Sequence, residues 1–289
     1  MPNGIIIVDK PAGWTSQDVV AKLRGVFHEK RVGHGGTLDP MATGVLPVFV
    51  GRATRCVEFF ESAEKEYVAG LRLGVTTDTQ DTTGTVLETR PVNVSRAELE
   101  QTLRRFLGKQ QQLPPMYSAI KIGGKKLYEL ARQGKDVERK PRDIEIFSLR
   151  ILDGADDLYH IAVRCSKGTY IRTLCHDIGA ALGCGGCMES LRRTAAGCYT
   201  IAQSHTMDEL LSAPDPAAFL LPTDSLFAEH PALTLTAAQE KKIRNGAPVV
   251  PWEKAGTFRL YGADGTFLAL AGGKPGSLKT IKSFFEVDR

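Results

Sequence analysis

Asp39 is the only acid in GHGGTLDPMATG, a stretch from Gly33 to Gly44 with four glycines, one histidine and neither helical nor strand periodicity. Glycines carry no side chain, so a bulky partner can approach the backbone closely beside that carboxylate. A second reading is local: Asp39-Pro40 starts a turn, or caps a short helix with proline at its first position. Familiar alternatives fail on spacing. A dinucleotide fingerprint starting at Gly33 needs glycine or alanine at position 38, which is Leu38, and no GxxxxGK[ST] or GxSxG occurs. No cysteine sits in an evidently electropositive loop, and no second carboxylate pairs clearly with Asp39 as a glycosidase requires.

Two cations add to the case for Asp39. Lys167 and Arg172 flank the start of the helical pattern in SKGTYIRTLCHDIGAALG. A helix N-terminus is already partly positive, so cations there imply an anionic partner, carboxylate or phosphate. An arginine stem packed along its neighbours is the alternative. Metal chemistry is not expected. Cys184 and Cys187 form a CxxC, but a structural zinc needs a second pair or nearby histidines, and only His176 is close. TTDTQDTTGT lacks the glycine and terminal glutamate of a calcium loop. Cys56, Cys165, Cys175 and Cys198 read as buried free thiols.

These residues need elements to hold them. GIIIV reads as a buried strand over Ile5–Val8, ended by a turn at Asp9-Lys10-Pro11. Thr15 or Ser16 caps a helix with Val19, Val20, Leu23, Val26 and Phe27 inward. VLPVFV is a strand, and Tyr67, Ala69, Leu71 and Leu73 alternate as a half-buried one. Ser95 and Glu98 form a capping box, stapled by Val94 and Leu99. That helix turns Leu99, Leu103, Phe106 and Leu107 inward and stops at Gly108. QQQLPPMYSAIKIGGKKLYELARQGK, residues 110–135, is proline-broken, then glycine-hinged, and basic, a long mobile excursion with a short helix. Leu158–Cys165 alternates as a strand. Ile171, Leu174, Cys175, Ile178 and Leu182 form a helical face closed by Gly183. After a proline-containing stretch come a helix, Ala237–Arg244, and short strands such as FRLYG and FLALAG, enough for a small β-rich domain.

Composition is that of a globular protein: 289 residues, 42% hydrophobic and 24% charged. No apolar run approaches the ~20 residues of a membrane span, and MPNGIIIVDKP lacks a signal peptide's basic start. Both point to the cytosol. Charge is uneven: the net +4 of the chain is matched by the segment from Leu233 onward, and Lys121–Arg142 holds eight basic residues against three acidic ones. Such clusters suit a polyanion, or form a solvated basic face.

GHGGTLDPMATGVLPV, VDKPAGWTS, KEYVAGLRLG with TDTQD, and SKGTYIRTL followed by LRRT occur here in an order that resembles the TruB family of tRNA pseudouridine-55 synthases, bacterial type. The resemblance covers nearly the whole chain. It implies a mixed α/β core of largely antiparallel sheet over residues 1–230, with a basic RNA-closing insertion at about 116–142. It also implies a small C-terminal PUA-like RNA-binding domain over 231–289.

By the same resemblance, Asp39 is the essential aspartate and His34 lies against the disrupted T-loop stack. Tyr67 stacks on the target base, and Asp81 contacts the flipped nucleotide. Arg172 pairs with Asp39, Leu191 walls the pocket, and Lys10 with Pro11 supports the loop. The implied substrate is the T arm of tRNA, with no cofactor and no obligate protein partner, for a monomer. An arginine at contact distance is expected to hold the Asp39 pKa down. Two rival readings are a non-catalytic RNA binder, indifferent to loss of Asp39, and a nucleoside hydrolase, which releases free base.

Overall fold

The computed structural model describes residues 2–118 and 120–286. Ala119, inside the basic insertion, and residues 287–289, at the end of the expected C-terminal domain, lie outside the described residues. Strands form where the apolar runs lie: β1 (Gly4–Lys10), β2 (Val32–His34), β3 (Thr43–Val50), β4 (Lys65–Leu73), β5 (Gly108–Gln112), β6 (Arg142–Ala155), β7 (Leu158–Cys165), β8 (Gly186–Ala196) and β9 (His205–Thr206). They belong to one ten-stranded sheet with the path β9-β1-β3-β8-β4-β7-β6-β5, β2 pairing with β3. Only β9 on β1 and β8 on β3 are parallel. The core is therefore mixed α/β with a largely antiparallel sheet, as expected.

Among the helices that pack on this sheet are α1 (Ser16–Phe27), α2 (Arg96–Arg104) and α3 (Ile171–Ala181). Thr15 accepts from the Asp18 N–H while Asp18 reaches back to the Thr15 N–H, so α1 starts on a full capping box. α2 starts the same way on Ser95 and Glu98. Val19, Val20, Leu23 and Phe27 enter a core with Leu46, Val48, Leu71, Leu174 and Ile178.

Three expectations shift. β1 continues through Lys10, because Asp9 and Lys10 pair with Val45 and Gly44 of β3. α2 ends at Arg104, short of Gly108, so Phe106 only packs at the edge of the core and Leu107 points outward, 44% exposed. The basic excursion holds a two-residue hairpin, Lys121–Ile122 against Lys125–Lys126, and a short helix, Leu127–Ala131.

A second sheet follows: β10 (Ala232–Thr234), β11 (Gly256–Tyr261), β12 (Phe267–Lys274) and β13 (Ser277–Ser283), in that order. α4 (Ala237–Arg244) begins on a Thr236–Gln239 capping box, and its Ile243 is buried with Leu260, Leu268 and Leu278. An aromatic cluster joins the two sheets' layers. Phe284 lies 5.8 Å from Phe227 and 5.1 Å from Phe267, and Phe227 meets Phe59 edge-on at 5.4 Å. Among the described residues no helix is long and apolar enough to cross a membrane.

Candidate active site

The loop from Gly35 to Ala42 leaves β2 and enters β3, and side chains from several elements pin it. Ser16, buried at the start of α1, accepts from the Leu38 N–H at 2.8 Å and donates to the Leu38 carbonyl at 3.2 Å. Lys10, fully buried at the end of β1, donates to the carbonyls of Pro11 (2.8 Å), Trp14 (2.6 Å) and Pro40 (3.3 Å). The Gly13 N–H also donates to Pro40 at 2.8 Å. Asp39 itself closes a turn, its carbonyl accepting from the Ala42 N–H at 3.0 Å. The turn reading is therefore true of its backbone while its side chain remains free for other work.

Two of the loop's glycines are dictated from inside the protein. A Cβ at Gly35 would lie 2.5 Å from the Phe60 ring, and one at Gly44, where φ is +101°, would lie 2.2 Å from the Arg193 carbonyl. Close internal packing and a left-handed backbone, rather than room for a partner, set these two positions.

Arg172 crosses to this loop from the first turn of α3. Its Nε lies 3.0 Å from Asp39 Oδ2, and its Nη1 lies 3.5 Å from Asp81 Oδ2. The guanidinium also donates to the carbonyls of Thr79 (3.2 Å) and Tyr117 (2.8 Å), so one buried cation ties three loops together. The cation at a helix start thus does have its anionic partner. Lys167 is exposed, with no ion pair among the described residues. Asp81, also buried, accepts from Thr79 Oγ1 and from the Thr83 N–H and hydroxyl. Its loop is stitched to β8 through Met188, whose N–H donates to Gln80 and whose carbonyl accepts from Thr82. Gln112 of β5 was not singled out by the sequence. It accepts from the Tyr170 N–H at 2.8 Å and donates to the Tyr170 carbonyl at 3.0 Å, setting the start of α3.

The expectation that Arg172 holds the Asp39 pKa down is corrected. Burial, with the Asp81 charge adding to it, raises the Asp39 carboxyl above the ordinary aspartate range, and Arg172 and Lys10 oppose that rise without overcoming it. The side chain nevertheless keeps 37% of its surface open to solvent, so it faces a cleft.

Tyr67 of β4 packs half-buried against the core, and burial raises its phenol pKa. Its register partner on β8 is Arg193, and Leu191, 8% exposed, stands opposite Ala69. His34 ends β2. Its Nδ1 is buried with no hydrogen-bond partner among the described residues, and burial followed by the Arg193 charge lowers its pKa, keeping the imidazole neutral. Burial also brings Lys10 down to about 8, with Asp39 acting against that shift.

The structure thus joins Asp39, Arg172 and Asp81 directly, sets Lys10 beneath the Asp39 turn, and places Tyr67 and Leu191 on neighbouring strands. Cys184 and Cys187 are buried free thiols, as are Cys56, Cys165 and Cys175, whereas Cys198, expected to be buried, is exposed just past the end of β8. Among the described residues no three His, Cys, Asp or Glu side chains converge as a metal site.

This is a carboxylate-centred site in a loop between strands, backed by a buried arginine. Comparison with known proteins gives the class. Residues 24–171 match the family described as TruB family pseudouridylate synthase (N terminal domain), and residues 172–228 match the tRNA pseudouridylate synthase B C-terminal domain. A protein of Syntrophomonas wolfei subsp. wolfei named tRNA pseudouridine synthase B is 45% identical over 277 residues, 93% of each chain. Its namesake in Azoarcus sp. is 43% identical over 280 residues, 96% of this chain and 93% of that one. A chain in the crystal structure of a Cbf5-Nop10-Gar1 complex superposes with a TM-score of 0.74 at 26% identity, over 98% of this chain and 85% of that one. The chain belongs to the TruB family of pseudouridylate synthases.

Proposed function

We propose that the protein isomerises uridine 55 in the T loop of tRNA to pseudouridine, with Asp39 as the essential carboxylate. The observation that carries this reading is the Asp39–Arg172 pair, held at 3.0 Å in a pinned loop of a chain that belongs to the TruB family. The bond from N1 to C1′ breaks, the uracil turns, C5 joins C1′, the C5 proton leaves to solvent and N1 takes up a proton. Nothing is oxidised and no group is lost, so the chemistry calls for no cofactor or metal.

The target base is buried in folded tRNA, and flipping it out costs a few kcal/mol. Stacking on Tyr67 returns ~1–3 kcal/mol of that. We read His34, kept neutral by burial, as lying against the disrupted stack, and Leu191 as walling the pocket. Asp81 contacts the flipped nucleotide while it helps hold Arg172. Attack at C1′, addition at C6 and abstraction of a sugar proton all need ionised Asp39, and Arg172 favours that form against the cost of burial. We read residues 1–230 as the catalytic domain and 231–289 as a PUA-like domain that adds phosphate contacts. The basic insertion at about 116–142 closes on the RNA. Binding through Lys and Arg weakens steeply with salt.

The protein acts as a monomer in the cytoplasm without an obligate partner; Nop10 and Gar1 are what the Cbf5 structure contains. Mapping pseudouridine in an unmodified tRNA transcript after incubation with the purified protein alone tests this. A single modified position in the T loop is expected. Modification elsewhere, or only after a protein or guide RNA is added, contradicts it.

A further inference from the structure

LRRT, Leu191–Thr194 on β8, puts two adjacent arginines on opposite faces of the sheet. Arg192 turns toward Asp9 and donates to both of its oxygens, at 2.7 and 3.1 Å, with nearly half of its side chain in solvent. Arg193 turns inward and is 1% exposed. Among the described residues no carboxylate pairs with it: Asp39 and Asp81 are held by Arg172, and Asp9 by Arg192. A buried cation without a counter-charge is costly, so its hydrogen bonds reveal what it is kept for.

Those bonds go to the two ends of the Asp39 loop. Nη2 donates to the Gly36 carbonyl at 3.1 Å and Nε to the Val45 carbonyl at 2.7 Å. Gly36 has φ +115°, and a Cβ there would stand 3.6 Å from Arg193 Nη1, so the loop folds directly over the guanidinium. Across the sheet Arg193 is in register with Tyr67. The side chains that feel its charge are Lys10 from β1, His34 from β2, and Lys65 and Tyr67 from β4, with Asp39 acting on Lys10 from the loop.

We propose that Arg193 is a positioning residue for the isomerisation: a buried cation that clasps both ends of the loop carrying Asp39 and holds that loop against Tyr67, acting through them rather than by touching uridine. This rests on the reading given under Proposed function. The clasp needs Arg193's geometry as well as its charge, because it bonds Val45 and Gly36 through two different nitrogens, Nε and Nη2, and a lysine's single Nζ cannot stand at both places. Its charge leaves a second signature. Lys10 donates to three carbonyls, which an ammonium can serve and a neutral amine, with two N–H groups, cannot. Arg193 is one cause of the lowered Lys10 pKa, so it brings the alkaline loss of activity to lower pH than Lys10 alone would set.

The test compares wild type, Arg193→Lys and Arg193→Met in single turnover on saturating unmodified tRNA, from pH about 6 to about 9.5, with tRNA affinity and thermal melting measured alongside. Arg193→Met is expected to lower the rate on the order of 100-fold while affinity changes less than about threefold. Its alkaline limb should move to higher pH. Arg193→Lys, which keeps the charge, should lose about tenfold in rate with its alkaline limb in place. A methionine variant within about threefold of wild type, or equal rate losses with the limb unmoved in both variants, would overturn the proposal. If the methionine variant does not fold, a lysine variant turning over at the wild-type rate overturns it. An inactive wild type would instead sink the proposed function itself.

Discussion

The two sheets are held in opposite ways. Around the Asp39 loop the protein buries Lys10, Lys65, Asp81, Arg172 and Arg193, and spends their hydrogen bonds on backbone carbonyls and on one another. In the β10–β13 sheet no charged side chain is buried among the described residues. That part is fastened to the rest mainly by the rings of Phe227, Phe267 and Phe284, with Asp224, which accepts from the Tyr261 hydroxyl at 2.5 Å and faces Arg259 at 3.7 Å, the Arg55–Ser283 hydrogen bond and the Lys282–Glu58 ion pair around them. Apolar packing suits attachment, because it needs no fixed direction. Buried charge is expensive and directional, and it suits a place where one carboxylate must be held in a single position.

The largest effect expected from breaking this contrast is on chemistry. Asp39→Ala should lower isomerisation by on the order of 10⁴-fold or more, while tRNA binding stays largely intact in a filter assay. Arg172→Met should strike activity and stability together. It leaves Asp81 buried and unpaired, so denaturant unfolding should show a loss of about 3–5 kcal/mol. Tyr67→Leu should separate the two, with turnover falling by about 10–100-fold and stability by less than about 1.5 kcal/mol, since leucine fits the same apolar face. Phe284→Ala, in the aromatic seam, should do the reverse: about 3 kcal/mol of stability lost, with the rate on an isolated T-arm hairpin unchanged. Arg96→Ala removes an exposed pair with Glu100 and should cost under about 0.5 kcal/mol.

The pH profile sharpens the same contrast. Asp39 must be ionised, and its pKa is raised, so activity should fall on the acid side at a higher pH than an ordinary aspartate would set. Lys10 must be protonated, and its pKa is lowered to about 8, so activity should fall as pH rises through that value. The working window therefore narrows from both sides, and single-turnover rates against pH read both limbs. A flat profile on the alkaline side would separate Lys10 from the loop's function.

Much of this was legible in the chain. Period-2 and period-3.6 patterns placed the strands and helices of the core, because those segments bury one face and little else competes. An anionic partner for Arg172 was one of two open readings of a cation at a helix start, and Asp39 as that partner came from the TruB resemblance. Arg193 was not. In LRRT it looks like one more charged residue on an alternating strand, and only the register with Tyr67 and the reach to Gly36 reveal a buried clasp. The direction of the Asp39 pKa was missed for a related reason: a contact with arginine can be read locally, but the depth of a carboxylate in a folded cleft cannot. Leu107 misled because helical periodicity runs past Arg104, where the chain turns toward β5.

Ionised Asp39, held by Arg172, is expected to drive isomerisation without any added cofactor. Unmodified tRNA carrying tritium at C5 of uridine, incubated with the wild-type protein and with Asp39→Ala, measures it most directly. Tritium released to water by wild type alone, with pseudouridine mapped to the T loop, is the expected result. Equal release by both proteins, or tight salt-sensitive tRNA binding by wild type with no release, would contradict it.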